Sequence, residues 1–223
     1  MRIDTLSIPF WSTEEVEAAL RPALEQMEAR RVLAYPTETV YGFGGGIDRE
    51  SLDALVSLKS RPPGKPFLLL IAGPDMLDRL GLALPSYATK LVAKHWPGPL
   101  TLVLSGGDRR VADKLRGPEG GVAVRWTSHP GISRLIRAHG DAITSTSANR
   151  PGVPPAKSAT EILEQWGDAV ARGRLRVLDA GTLTPSKPST VLDCTGRRPR
   201  VIRPGAIPAS TLRESVPSLI GDA

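Results

Sequence analysis

The stretch that most restricts this chain is a four-residue apolar run, Val32–Tyr35, closed by Pro36 and followed by Thr37, Glu38 and Thr39. Four consecutive apolar residues bounded by a breaker predict a buried strand. Proline then ends the strand, because it has no donor for a ladder hydrogen bond. Two hydroxyls flank one carboxylate at the strand's carboxyl end, and Gly42, Gly44, Gly45 and Gly46 come next. Glycines of this kind can take positive φ and let backbone approach a ligand closely. A polar cluster at a strand's carboxyl end, ahead of a glycine-rich loop, is where α/β proteins usually bind ligands. A plain connecting turn is the alternative, since such loops also serve that purpose.

The rest of the chain alternates helical and extended patterns. Ser12 and Glu15 have capping-box spacing. Val16, Ala19, Leu20, Ala23, Leu24 and Met27 then recur at helical spacing, which predicts a one-faced amphipathic helix. A short helix over 51–58 delivers Lys59, Arg61 and Lys65 among Pro62, Pro63 and Pro66. Strands are predicted over 67–72, 100–104, 122–125, 142–145, 175–179, 189–194 and 200–203, with helices over 87–95, 131–139 and from Ser158 toward Trp166. The polar, glycine-rich stretch 106–121 reads as a mobile loop. Helices and strands are interspersed without a strict βαβ period, and no linker or repeat divides the chain. The expected fold class is α/β, one domain with a twisted mixed β-sheet and surrounding helices. That domain is drawn over 1–207, with 208–223 as a C-terminal tail.

Composition narrows the partners. The 223 residues include 29 Lys and Arg against 23 Asp and Glu, a formal charge of +6. A basic balance suits an anionic ligand such as a nucleotide, a polyphosphate or RNA, or it simply keeps the surface soluble. Aromatics are only 4%, which counts against a module that reads single-stranded RNA by stacking. The single cysteine, Cys194, rules out an internal disulfide or a multi-cysteine zinc site and sits in an apolar strand as a buried residue. No apolar run approaches the ~20 residues of a membrane span, and the first residues lack a secretory core. A soluble cytoplasmic protein is therefore expected.

Three groups of residues can carry chemistry. Lys59, Arg61 and Lys65 put three cations in seven residues. Arg offers a planar fork and Lys a point charge to a triphosphate, although a solvated basic loop looks the same. No phosphate-loop pattern, Gly-x-Gly-x-x-Gly fingerprint or nucleophile elbow is present. Thr144, Ser145, Thr146, Ser147 and Asn149 form a second, hydroxyl-rich group, and Ser189 and Thr190 a third before another strand. Small hydroxyls bind phosphate or ribose without bulk, or make turns. Arg125 and Arg203 each leave a strand and need an anionic partner, either a structural carboxylate or a ligand. His95, His129 and His139 show no metal-binding spacing. Chemistry in such a set works by orienting charged substrates rather than through a protein nucleophile.

Taken in order, YPTETVYG at 35–42, KSRP at 59–62, KP at 65–66, WPGPLT at 96–101, VAVR at 122–125, STSAN at 145–149, STVLD at 189–193 and RPG at 203–205 resemble the YrdC family of threonylcarbamoyl-adenylate synthases. The resemblance covers residues 32–207 and rests on eight motifs in sequence. It implies a single α/β domain around a deep, positively charged cavity. It implies the reaction of L-threonine, bicarbonate and ATP to threonylcarbamoyl-AMP and diphosphate, with Mg²⁺ accompanying the ATP. A downstream threonylcarbamoyl-transferase complex would then modify adenosine 37 of tRNA, and tRNA contact with this chain is possible.

Carried over position by position, the resemblance assigns ATP to Lys59, Arg61, Thr101, Ser145, Ser147 and Arg203, with Lys59 and Arg61 positioning the leaving diphosphate. It assigns threonine to Thr37, Arg125 and Ser189. Lys65 adds a phosphate contact, and Asn149 shapes the loop or contacts phosphate. No metal ligands are identified; Glu38 and Asp193 are candidates by exclusion. The chain departs from many members in carrying Leu68, Leu69 and Leu70 where they place a histidine, and it resembles the short form without an added C-terminal domain. Two other readings remain open on the residues: a non-catalytic double-stranded RNA or tRNA module, and a paralogue that adenylates a different carbamoyl substrate.

Overall fold

A computed structural model describes residues 6–61 and 64–221. Met1, Arg2, Ile3 and Asp4, and the prolines Pro62 and Pro63 expected to stiffen the cationic segment, lie outside the described residues. In chain order the elements are β1 (Ser7–Pro9), α1 (Thr13–Glu28), β2 (Val32–Tyr35), β3 (Gly42–Gly44), α2 (Arg49–Lys59), β4 (Leu68–Ile71), α3 (Asp75–Arg79), β5 (Leu82–Ala83), α4 (Thr89–His95), β6 (Leu100–Gly106), β7 (Val122–Trp126), α5 (Pro130–His139), β8 (Ile143–Ser147), α6 (Ala159–Ala171), β9 (Leu175–Asp179), β10 (Thr190–Asp193), β11 (Arg200–Arg203) and α7 (Ala209–Ser215).

The strands form one mixed sheet in the order β1-β9-β2-β3-β8-β4-β7-β6-β10-β11, with β5 paired to β6. The pairs β1·β9, β9·β2, β4·β7 and β6·β10 are parallel, and the others are antiparallel. This is the α/β, mixed-sheet architecture that the interspersed patterns predict.

Local chemistry explains the elements. The α1 capping box is complete: the Ser12 hydroxyl accepts from the Glu15 amide at 3.1 Å, and the Glu15 carboxylate accepts from the Ser12 amide at 2.9 Å. Its buried face of Val16, Ala19, Leu20, Ala23 and Met27 packs on β2 and α5. At α6, Ser158 and Glu161 have the same capping-box spacing, but only half of the box forms. The Ser158 hydroxyl caps the Glu161 amide, but the Glu161 carboxylate turns to the Lys157 amide. The stretch 106–121, predicted as a mobile loop, is folded down by buried Val111 and Leu115, and the Arg116 guanidinium donates to the carbonyls of Gly106, Gly107 and Gly120. The segment after 207 packs back through buried Leu212, Val216 and Leu219, and Ile220 bridges to Arg200 beside β11.

The glycines after β2 correct an expectation. Gly42, Gly44, Gly45 and Gly46 do not take positive φ. Residues 42–44 are a strand squeezed between β2 and β8, where a Cβ on Gly44 would stand 1.7 Å from the Thr144 carbonyl oxygen and 2.8 Å from the Tyr35 hydroxyl. Gly44 is needed for sheet packing, and of the four only Gly42 reaches the cavity described next.

Candidate functional site

Polar residues from seven strands and loops meet in one cavity of about 400 Å³. Thr37, Thr39 and Val40 follow β2, Arg61 and Pro66 come from the segment after α2, and Thr101 lies on β6. Ala123 and Arg125 lie on β7, Ser145, Thr146 and Ser147 on β8, and Ser189, Val191 and Arg203 on or beside β10 and β11. A volume of this order is typical of small-molecule sites.

The β8 hydroxyls are inside the strand, not beyond its end as a strand over 142–145 predicts. Antiparallel pairing of Gly42 with Ser147 and Phe43 with Thr146 extends β8 by two residues. Thr144 faces away from the cavity and bonds the Gly45 amide and carbonyl at 2.9 and 3.1 Å.

Each of the three cavity arginines is tied to a hydroxyl. Arg61 Nη1 donates to Thr146 Oγ1 at 3.0 Å, its Nε and Nη2 donate to the Lys65 and Pro66 carbonyls, and its guanidinium lies 4.6 Å from the Phe67 ring. Three of its five N–H groups are used, so two remain for a ligand. Arg203 Nη2 donates to the Ser189 carbonyl and hydroxyl at 2.8 and 3.0 Å, and Ser189 Oγ is 2.8 Å from Thr101 Oγ1. Arg125, only 4% exposed, donates through Nη1 to Thr39 Oγ1 at 3.2 Å. Thr37 Oγ1 is 3.0 Å from Thr39 Oγ1 and donates to the Val40 carbonyl at 2.8 Å. Burial holds Arg61 below the usual arginine range, and burial together with the Arg125 charge does the same to Arg203.

The structure thus gathers Thr37, Arg61, Thr101, Arg125, Ser145, Ser147, Ser189 and Arg203 from the sequence-based assignment. Three others stand elsewhere. Lys59 lies behind the cavity wall, where its ammonium donates to the Ser147 and Asn149 carbonyls and to Asn149 Oδ1. Burial, then the nearby Arg61 charge, pushes its pKa down to about 8. Asn149 is used by that contact and by the loop that follows. Lys65 is exposed and borders a neighbouring hollow with Lys114 and Arg116. Its carbonyl, not its ammonium, meets Arg61.

Neither acidic metal candidate belongs to the cavity wall. Asp193 accepts from Thr195 and Arg200 and lines a separate apolar hollow with Val103 and Ile202. The carboxylate of Glu38 accepts from Thr127 Oγ1 at 2.6 Å and faces Arg125. Among the described residues, no group of three or more His, Cys, Asp or Glu side chains stands where it could hold a metal ion. Thr39 and Thr146 are site residues that the sequence-based assignment does not include, and they hold Arg125 and Arg61 respectively. Their signal was visible as hydroxyls two residues from Thr37 and one from Ser145, but not their arginine partners.

The family model named for Sua5, YciO and YrdC, with the description telomere recombination, matches residues 25–205. A protein of Chromohalobacter salexigens named threonylcarbamoyl-AMP synthase is 35% identical over 182 residues, which is 81% of this chain and 95% of that protein. The crystal structure of Pyrococcus abyssi Sua5 complexed with L-threonine superposes with a TM-score of 0.83 at 30% identity, over 92% of this chain and 59% of that one. The crystal structure of Escherichia coli YciO gives 0.76 at 25% identity, over 89% and 94%. This chain therefore spans nearly all of these two bacterial proteins and about three fifths of the archaeal one, as it does of a Bacillus subtilis relative. With the family model covering most of its length and the arginine–hydroxyl cavity built from the matched segment, the chain belongs to the Sua5/YciO/YrdC family.

Proposed function

We propose that this chain is an L-threonylcarbamoyladenylate synthase, which makes threonylcarbamoyl-AMP, diphosphate and water from L-threonine, bicarbonate and ATP. The observation that carries the reading is the convergence of Arg61, Arg125 and Arg203 on one cavity, each braced by a hydroxyl of a different strand or loop. Three fixed cations suit a substrate pair that brings a carboxylate and a triphosphate together. Relatives that bear the name threonylcarbamoyl-AMP synthase support it.

In this reading the threonine nitrogen attacks the bicarbonate carbon and water leaves, giving a carbamate. A carbamate oxygen then attacks the α-phosphorus, the bond from that phosphorus to the bridging oxygen breaks, and diphosphate departs with the electron pair. Arg125, Thr37 and Ser189 bind the amino acid, with Arg125 on its carboxylate. Arg61 and Arg203, with Thr101, Ser145 and Ser147, bind the nucleotide, and the two guanidinium groups offset charge on the departing diphosphate. Enclosure protects a carbamate that water would otherwise decompose and holds it near the phosphate. Mg²⁺ would enter as part of the MgATP substrate; among the described residues, no carboxylate lines the cavity. Lys59 and Asn149 act from behind, by shaping the loop that carries Ser147. The product feeds a threonylcarbamoyl transfer to tRNA by other proteins. A cytoplasmic location is consistent with this role, and no helix among the described residues is long and apolar enough to cross a membrane.

A module that only held RNA would place its cations on an open surface, where they can release counterions along a backbone; buried Arg125 does not. The test incubates the purified chain with labelled MgATP, L-threonine and bicarbonate. Diphosphate release that requires both co-substrates, with an acyl-adenylate formed, is expected. ATP turnover indifferent to threonine, or none at all, overturns the reading.

A further inference from the structure

Glu38 sits in the polar cluster that opens the site, yet it does not line the cavity, and the assignment above gives it no work. We propose that Glu38 is a positioning residue for Arg125, fixing the guanidinium for the amino-acid carboxylate. The proposal rests on the reading that Arg125 binds that carboxylate.

The carboxylate is held from one side. Its Oε2 accepts from Thr127 Oγ1 at 2.6 Å. Thr127 is fully buried, its hydroxyl accepts from the His129 amide, and its carbonyl accepts from Ser133 Oγ at 3.1 Å. Glu38 is thereby anchored to the turn that starts α5. Its other oxygen, Oε1, is directed at Arg125 Nε at 3.8 Å. Both of these atoms are buried, and neither has a hydrogen-bond partner. Buried polar atoms without partners are costly, and two that face each other across a gap indicate a contact completed in another state. A shift of about 1 Å would bring them to the 2.7–2.9 Å of a charge-assisted bond. Among the described residues, Arg125 is otherwise held by one hydrogen bond, to Thr39. A guanidinium on a three-carbon stem needs more than that to stay in one rotamer.

A positioning role and a mere counter-charge predict opposite signs. A negative charge next to a carboxylate subsite repels the ligand, so removing it alone would tighten binding. Removing a group that orients the guanidinium loosens it. Threonine binding to the full chain is measured by calorimetry, and KM and kcat by diphosphate release, for the parent, Glu38→Gln, Thr127→Val and Arg125→Ala.

Glu38→Gln is expected to raise Kd and KM for L-threonine about tenfold, equivalent to about 1.4 kcal/mol, with KM for ATP and the saturated kcat within about twofold. Thr127→Val, which removes the anchor and keeps the volume, moves the same way by a smaller factor, and it carries the test if Glu38→Gln does not fold. L-threoninamide, which lacks the carboxylate, should bind parent and Glu38→Gln alike. Unchanged or tighter threonine binding in Glu38→Gln, with Arg125→Ala still weakening it, overturns the positioning role alone. Unchanged binding in Arg125→Ala overturns the carboxylate assignment, and the proposal with it.

Discussion

Lys59 and Asn149 are joined twice: the ammonium donates to the Asn149 carbonyl at 2.5 Å and to its side-chain oxygen at 2.9 Å. A third bond to the Ser147 carbonyl at 2.7 Å uses every ammonium proton. The Asn149 amide nitrogen donates to the Arg150 and Val153 carbonyls, which fixes the amide's orientation. Ser147 Oγ, 2.5 Å from Asn149 Oδ1, must then donate its proton there and show only lone pairs to the cavity. The cation of the Lys-x-Arg motif is thus a buried brace for the loop after β8.

Lys59→Met keeps the stem and removes the ammonium at a site 8% exposed, so the Asn149 carbonyl loses its donor while Asn149 Oδ1 keeps Ser147 Oγ and the Ser147 carbonyl keeps the Asn149 backbone amide. A loss of about 2–4 kcal/mol in unfolding free energy is expected, together with a higher KM for ATP as Ser147 drifts. Urea unfolding and steady-state kinetics check both. A changed KM with unchanged stability would mean that the ammonium turns into the cavity instead.

Gly205 lies against the backbone that carries Ser189. A Cβ there would stand 2.3 Å from the Pro188 carbonyl oxygen and 2.4 Å from the Thr190 amide nitrogen. Neither atom can step aside without moving Ser189, and with it the contacts to Thr101 and Arg203. Gly205→Ala should lower kcat/KM for L-threonine by at least tenfold and destabilise the fold by about 1–3 kcal/mol through overpacking. Kinetics and thermal unfolding of that single variant decide it; parental values in both would show that the loop yields.

His129 gives the fold an acid sensitivity. Its Nδ1 accepts from the Ile132 amide at 3.4 Å as the N-cap of α5, and its ring lies 6.0 Å from that of Phe10. Only a neutral ring can accept. Burial holds the imidazole below its ordinary value against the opposing pull of Glu38. The unfolded chain therefore binds the proton first, and stability present above about pH 6.5 is lost as pH falls through the folded value. His95 and His139 shift the same way, so the readout is a difference. Between pH 7 and 5 the parent should lose more of its Tm than His129→Asn, which keeps a capping oxygen but does not titrate. Parallel Tm curves would remove His129 from the account.

Cys194 is fully buried, and its thiol is pushed up to about 12, by burial first and by the Asp193 charge second. The thiolate is the reactive form. Alkylation at pH 8 should follow global unfolding and accelerate in parallel with it under denaturant. Rapid labelling of the native chain would place the thiol at the surface.

Local signals carried much of this. Val32–Tyr35 is buried and strand-forming on its own composition, Ser12 and Glu15 specify a helix start through three residues, and Cys194 declares itself by its apolar neighbours. The ordered motifs already pointed to the family, and eight of the eleven residues assigned from them line one cavity. What tertiary structure alone decided is adjacency. Tyr35 donates to the Thr144 carbonyl, 109 residues away, because β3 pairs with β2 on one side and β8 on the other, and its glycines let the Tyr35 side chain reach across. That neighbourhood turns Gly44 into a packing spacer, points Lys59 at a loop, leaves Lys65 outside and sends Asp193 to a different hollow. Periodicity and capping act over a few residues and fix what an element is. Which strands become neighbours, and so which side chains share a cavity, is set by how the buried faces of the whole chain pack together.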